Sequence, residues 1–144
     1  MDHRERNWLF VLIGVFLVFN IVTLSPLIPW QHWLLWGSPT PDQTVQIEFG
    51  DYEIHLPPEG IEVRVGEYVE FVATSTDVTY GLGVFRQDGT MVFQEQVPPG
   101  RENRIIWKFA EAGTYDVRSS EYSGPRHSEM YVPAAIHVSP SGGG

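Results

Sequence analysis

The chain has 144 residues, no cysteine and a formal net charge of −9 at pH 7. The charge argues against a nucleic-acid partner, and the missing cysteines exclude disulfides, thiolate-held metals and cysteine nucleophiles within this chain. Eleven prolines and fourteen glycines indicate many turns rather than long helices, in one domain with a small appendage.

The first predicted element is an apolar run without charge from Trp8 to Leu24. A helix rises about 1.5 Å per residue, so this run and its flanks nearly span a hydrocarbon layer of roughly 30 Å. A cleaved signal peptide is the alternative, but the run is long for one and no small-x-small cleavage motif follows it. We therefore expect residues 1–27 to form a cytoplasmic N-terminus and an uncleaved transmembrane anchor.

The orientation of this anchor follows from its flanking charges. Arg4 and Arg6 precede the span, and the next basic residue is Arg64. The positive-inside rule then predicts a single-pass protein of the cytoplasmic (inner) membrane, with the N-terminus inside and the C-terminal domain outside. Asn20, a polar residue within the span, is expected to face a partner helix.

Residues 28–43 are predicted to be an interfacial segment and linker. Trp30, Trp33 and Trp36 suit the lipid headgroup level, and the polar, proline-broken stretch GSPTPDQ follows them.

Residues 44–139 have the two-residue periodicity of half-buried strands. VQIEFGDYEIHL alternates apolar and polar residues, and Asp88-Gly89 between two apolar runs is typical of a hairpin turn. Several short strands separated by glycine and proline predict an antiparallel sandwich or barrel. Residues 140–144 are predicted to be a disordered tail.

The loop before the last predicted strand, RSSEYSGPRHSEM, has an unusual spacing: Ser119-x3-Ser123-x3-His127-x2-Met130. With cysteines at the two serines, this spacing would describe a binuclear copper site. Together with the anchor, linker and strands, the loop resembles subunit II of heme–copper oxidases, in the short form with one membrane span and an external cupredoxin domain. The resemblance implies an all-β cupredoxin-like Greek-key sandwich preceded by one N-terminal transmembrane α-helix.

The resemblance also assigns positions to the family's binuclear copper centre (CuA), which is held by Cys-x-Glu/Gln-x-Cys-x3-His-x2-Met and an upstream histidine. The stretch STDVTYG resembles the segment that carries this upstream histidine. The corresponding positions here are Tyr80, Ser119, Glu121 (through its carbonyl), Ser123, His127 and Met130.

The departures from this ligand set determine what we expect of the site. A serine hydroxyl stays protonated near neutral pH and is a poor ligand for copper(I), so we expect no metal here. A laboratory exchange of cysteine for serine would not also alter the upstream histidine, which favours natural loss. We expect His127 to be a hydrogen-bonded structural histidine and Met130 to pack in the loop core. Tyr80 would fill the vacated volume, its hydroxyl bonded to a partner such as Ser119 or His127.

The resemblance then implies a non-copper subunit II of a membrane reductase fed by quinol. His32 and Trp33 become candidates for contact with the quinone headgroup, although an ordinary interfacial histidine among tryptophans explains His32 equally well. The partner of this subunit would be a heme-bearing catalytic membrane subunit, with hemes and a copper, that reduces dioxygen or nitric oxide. This chain would cap that subunit structurally, without a catalytic site, a cofactor or a cytochrome c docking role of its own. The alternative is a membrane-tethered cupredoxin-fold protein for copper delivery or partner binding, in which His127 and Met130, with His137, hold copper(I) weakly.

Overall fold

The computed structural model describes residues 2–25 and 37–142. The chain divides into two compact units, Met1–Ser38 and Pro39–Gly144. The three interfacial tryptophans and the quinone-contact candidates His32 and Trp33 lie outside the described residues.

The described part of the N-terminal unit forms the helix α1 (His3–Leu24), which is long and apolar enough to cross a membrane. The amide of Asp2 donates to the Glu5 carboxylate over 3.1 Å at its start, as capping residues do. Asn20 donates its side-chain N–H to the Phe16 carbonyl over 2.8 Å. This bond uses one of the two N–H donors of the Asn20 amide, and contact with a partner helix stays a prediction.

The described residues of the second unit form nine strands in two sheets. One sheet has the order β2-β1-β4-β7 and the other has the order β3-β9-β8-β5-β6. The strands are β1 (Gln43–Gly50), β2 (Glu53–His55), β3 (Ile61–Arg64), β4 (Tyr68–Ser75), β5 (Tyr80–Arg86), β6 (Met91–Val97), β7 (Asn103–Lys108), β8 (Gly113–Ser119) and β9 (Tyr131–Ser139).

Strand direction corrects one expectation. Among the described residues, β1 pairs with β4 and β3 pairs with β9 in parallel, whereas the other pairings are antiparallel. The sequence predicted an antiparallel sandwich or barrel; the sandwich is formed, and these two pairs are its departures from antiparallel pairing. Parallel neighbours need a crossover connection, and here the chain passes through the other sheet between the two members of each pair: β3 intervenes between β1 and β4, and β4 and β7 intervene between β3 and β9.

The core lies between the two sheets. In β1 the inward side chains of Val45, Ile47 and Phe49 are buried and alternate with exposed polar residues, as the sequence predicted. The hairpin of β5 and β6 turns at Gly89, whose φ of 90° suits glycine, so the predicted Asp88-Gly89 turn is confirmed.

Strand β5 is buried along most of its length because it lies between β6 and β8 and because a loop covers one end of it. In its register with β8, Leu82 lies opposite Ser119. This pairing places the start of the 120–130 loop beside β5, so the sheet positions the candidate site.

Candidate functional site

The loop from residue 120 to residue 130 is closed at its base by backbone hydrogen bonds. The amide of Ser119 donates to the Met130 carbonyl, and the amide of Ser120 donates to the Gly81 carbonyl, both over 3.1 Å. A single 3-10 turn, His127–Glu129, lies within the loop. The serine, histidine and methionine of the predicted motif are thus held on one short, anchored segment.

Two glycines allow this loop to pack closely on its neighbours. A Cβ atom at Gly81 would lie 2.3 Å from the Ser120 hydroxyl oxygen and 2.8 Å from the Glu121 amide nitrogen. A Cβ atom at Gly124, whose φ is 134°, would lie 2.0 Å from the Tyr52 hydroxyl oxygen. The backbone of the loop therefore approaches β5 and the β1–β2 turn more closely than any side chain would permit.

The two serines at the expected cysteine positions are bonded within the protein. The Ser119 hydroxyl donates to the Glu121 carbonyl over 3.2 Å and accepts from the Gly81 amide over 3.4 Å. The Ser123 hydroxyl donates to the Met130 thioether sulfur over 3.7 Å, and Met130 itself is buried in the core cluster. These contacts bring four of the six motif positions (Ser119, Glu121, Ser123 and Met130) into two hydrogen-bonded pairs.

Tyr80 is buried within the sandwich, and its ring stacks on Phe49 with 5.6 Å between the centroids. Its hydroxyl donates to the Asp77 carboxylate over 3.0 Å and accepts from the Tyr52 amide over 3.4 Å. Tyr80 is thus buried with a polar partner for its hydroxyl, as expected, but the partner is Asp77 rather than either of the two examples, Ser119 and His127. A carboxylate is a stronger acceptor than a hydroxyl, and Asp77 lies three residues before Tyr80.

Asp77 ties this tyrosine to the β1–β2 turn. It also accepts the amides of Asp51 over 2.9 Å and Val78 over 2.7 Å. Asp51 and Tyr52 both have positive φ values, 46° and 62°, which L-residues rarely adopt. The bonds from Asp77 and the Tyr80 hydroxyl hold the two residues in this conformation.

The hydrogen bonds to Asp77 make the free energy of unfolding depend on pH in the acidic range. Burial tends to raise the pKa of Asp77, but the amides of Asp51 and Val78 and the Tyr80 hydroxyl hold it below its ordinary value of 3.8. A lowered folded pKa gives stability that is present above the unfolded pKa and is lost as pH falls through the folded one. We expect Asp77→Asn to flatten the loss of stability between about pH 5 and pH 2.

Urea midpoints measured across this pH range check the expectation. Glu59→Gln, which removes an exposed carboxylate without a hydrogen bond among the described residues, is the matched control and should keep the acid dependence. An Asp77→Asn curve parallel to that of the unchanged chain would contradict this role.

His127 differs from its prediction. Its ring lies 5.8 Å from the Tyr122 ring, and its Nδ1 atom is buried without a hydrogen-bond partner among the described residues. The predicted hydrogen-bonded histidine is therefore not formed with these residues, because the ring contacts an aromatic side chain and a cavity rather than a polar group. His127 and Met130 line this cavity together with Ser119.

The donor set does not fit a binuclear copper centre. Within the described ranges no three side chains of the His, Cys, Asp and Glu types are grouped as metal ligands. The hydroxyls of Ser119 and Ser123 are protonated donors in internal hydrogen bonds, whereas bridged copper ions require thiolates. His137 lines another cavity, with Glu62 and Thr114, and its Nδ1 lies 3.4 Å from the Thr114 hydroxyl.

Sequence reasoning missed three residues of this region: Tyr52, Asp77 and Arg118. Asp77 stands within STDVTYG, where an aspartate just before a strand is a common turn residue and therefore an ambiguous signal. Tyr52 and Arg118 act through contacts with other strands, which local spacing does not reveal.

Comparison with known proteins supports the resemblance. No family model matches the chain. Two sequences of cytochrome c oxidase subunit 2 from Thermus thermophilus are 29% identical over 103 residues, which is 67% of this chain. The matches span 73% of one relative and 58% of the other, so in the second case the chain covers less than two thirds of its relative.

Solved structures show the same fold. A chain of a heme–copper terminal oxidase dimer has a TM-score of 0.55 at 18% identity, covering 96% of this chain and 100% of that one. The periplasmic domain of cytochrome oxidase subunit II from Bradyrhizobium japonicum has a TM-score of 0.52 at 21% identity, covering 71% and 87%. Auracyanin B has a TM-score of 0.55 at 11% identity, covering 72% and 93%.

The sandwich is therefore cupredoxin-like and follows one apolar N-terminal helix. The chain is a homologue of cytochrome c oxidase subunit II, and it contains none of the cysteines that would bridge a pair of copper ions.

Proposed function

We propose that this chain is a subunit II through which no electrons enter its complex. The observation that carries the proposal is the state of the three altered ligand positions. Ser119, Ser123 and Tyr80 are all bonded inside the protein, to the Glu121 carbonyl, the Met130 sulfur and the Asp77 carboxylate. Hard, protonated hydroxyls in such bonds do not hold the soft copper ions that an electron-entry centre requires.

Electrons would then reach the catalytic subunit from quinol oxidised within the membrane. That partner subunit would carry the hemes and a copper and would reduce dioxygen or nitric oxide. Residues 44–139 would cap its outer face, and residues 1–27 would anchor the chain in the inner membrane with the N-terminus inside. Residues 28–43 would connect them at the membrane surface, where His32 and Trp33 are the candidates for quinone contact.

Purification of the complex from native membranes in a mild detergent tests this proposal. We expect heme to co-purify with the chain, and turnover to proceed with quinol but not with reduced cytochrome c. Parallel assays with dioxygen and with nitric oxide identify the acceptor. A heme-free preparation of this chain, or turnover driven by cytochrome c alone, would contradict the proposal.

One observation favours the copper-delivery alternative. His127 lines the same cavity as Met130, and its Nδ1 atom has no hydrogen-bond partner within residues 2–25 and 37–142. One imidazole and one thioether are ligands that suit copper(I). For this alternative, competition of the purified chain with a copper(I) chelator would show one bound ion that His127→Phe and Met130→Leu each remove. We expect no such stoichiometric binding, because the site offers too few soft ligands.

A further inference from the structure

A surface cavity of about 610 Å³ lies between the end of β8 and the start of β9. Polar groups and one permanent cation form much of its lining. The lining residues are Arg118, Ser119, His127, Ser128, Met130 and Tyr131.

Arg118 is held in place by aromatic rings rather than by an acid. Its guanidinium lies 4.5 Å from the centroid of the Phe85 ring and 5.0 Å from that of Tyr131. Such stacking fixes the orientation of a guanidinium and leaves its N–H groups available. Its Nε is buried without a hydrogen-bond partner among the described residues.

No carboxylate of the described residues compensates this charge at ion-pair distance. The arginines that form ion pairs in the described part of the chain are Arg86, Arg104 and Arg126. Asp116, two residues before Arg118, accepts the Tyr131 hydroxyl and the Ala134 amide, each over 2.8 Å. The cavity therefore contains a positive charge that forms no ion pair with the described part of the chain.

Further polar groups line the same cavity. His127 has a buried ring nitrogen without a partner in the described part of the chain, and Ser128 contributes an exposed hydroxyl. A guanidinium repels a metal cation and forms charge-assisted hydrogen bonds with oxyanions. The chemistry of the lining thus favours an anion over copper(I).

We propose that this cavity binds a small inorganic oxyanion of the size of phosphate or sulfate, with Arg118 as its charged ligand and His127 and Ser128 as further donors. The site is independent of how electrons enter the complex. It uses residues in and beside the loop whose spacing resembles a copper centre.

Thermal unfolding of the full chain in detergent, titrated with inorganic phosphate or sulfate at an ionic strength held constant with chloride, tests the proposal. We expect a saturable rise in Tm, because an anion that binds the folded state stabilises it. Arg118→Gln should weaken the apparent Kd at least about tenfold, as expected for the loss of a charged hydrogen-bond donor. Arg126→Gln changes the net charge equally but removes an arginine paired with Glu129, and it should bind like the unchanged chain.

Arg118→Lys is a second variant that keeps the positive charge, and it serves as the test if Arg118→Gln folds poorly. It should bind the anion more weakly than the unchanged chain, since lysine lacks the guanidinium fork. The proposal would be overturned if the Arg126 variant lost as much anion affinity as the Arg118 variants, or if both Arg118 variants bound the anion fully. It would also be overturned if phosphate and sulfate gave no saturable rise in Tm beyond that in chloride. Stoichiometric copper(I) binding that phosphate does not affect would also overturn it. None of these outcomes bears on whether quinol drives turnover of the complex, so the anion site and the proposed function are tested separately.

Discussion

Replacing Tyr80 by histidine and both Ser119 and Ser123 by cysteine is expected to give a chain that binds two copper ions. The six motif positions would then offer two thiolates and two imidazoles, together with the Met130 thioether. Sulfur replaces oxygen at the two serine positions, where the existing hydrogen bonds already bring Ser123 to Met130 and Ser119 to the Glu121 carbonyl. Thiolates and imidazoles are ligands that copper prefers, so the gain should be stoichiometric.

Elemental analysis and visible absorption from thiolate-to-copper charge transfer measure this gain. A matched control moves one cysteine by a single residue, as Tyr80→His, Ser120→Cys and Ser123→Cys, and should not form the paired site. The single variant Tyr80→His should also lack it because both thiolates are missing. A folded triple variant that binds no copper would show that the motif positions are wrongly assigned.

Gly81→Ala is expected to lower the free energy of unfolding by about 2 kcal/mol, within the usual range for overpacking. The added Cβ would lie 2.8 Å from the Glu121 amide nitrogen, so the loop backbone itself must move. It would also lie 2.3 Å from the Ser120 hydroxyl oxygen. The loop that carries the motif should therefore separate from β5.

Urea denaturation of the full chain in detergent measures this change. Gly142→Ala, where no atom lies within 4 Å of the added Cβ, is the neutral control. Adding Ser120→Ala to Gly81→Ala should restore only part of the stability, because the contact with the Glu121 amide remains. Equal stability of the Gly81 and Gly142 variants would show that the loop does not pack on β5 as described.

Local pattern was sufficient to predict much of the fold. Alternation in β1 and the turn at Asp88-Gly89 are encoded by neighbouring residues, so they could be predicted from the sequence. The parallel pairing of β1 with β4 could not, because which strands become neighbours depends on the packing of two sheets. The same limit applies to the pairing of β3 with β9.

The candidate site shows the same contrast between features encoded by neighbouring residues and features that depend on distant ones. The spacing from Ser119 to Met130 is local and was visible in the sequence. The partners of Tyr80 were not, because they come from Asp77 and from a turn with positive φ at Tyr52. Arg118 was missed since its aromatic contacts, Phe85 and Tyr131, are on the two neighbouring strands.

The most direct test of the central claim is to measure the copper content of the unchanged chain. The chain would be purified from its native membranes and separated from any heme-bearing partner. Serine and tyrosine oxygens at the three altered positions predict no stoichiometric copper after mild chelation. Two copper ions per chain, retained by the unchanged protein, would contradict the account.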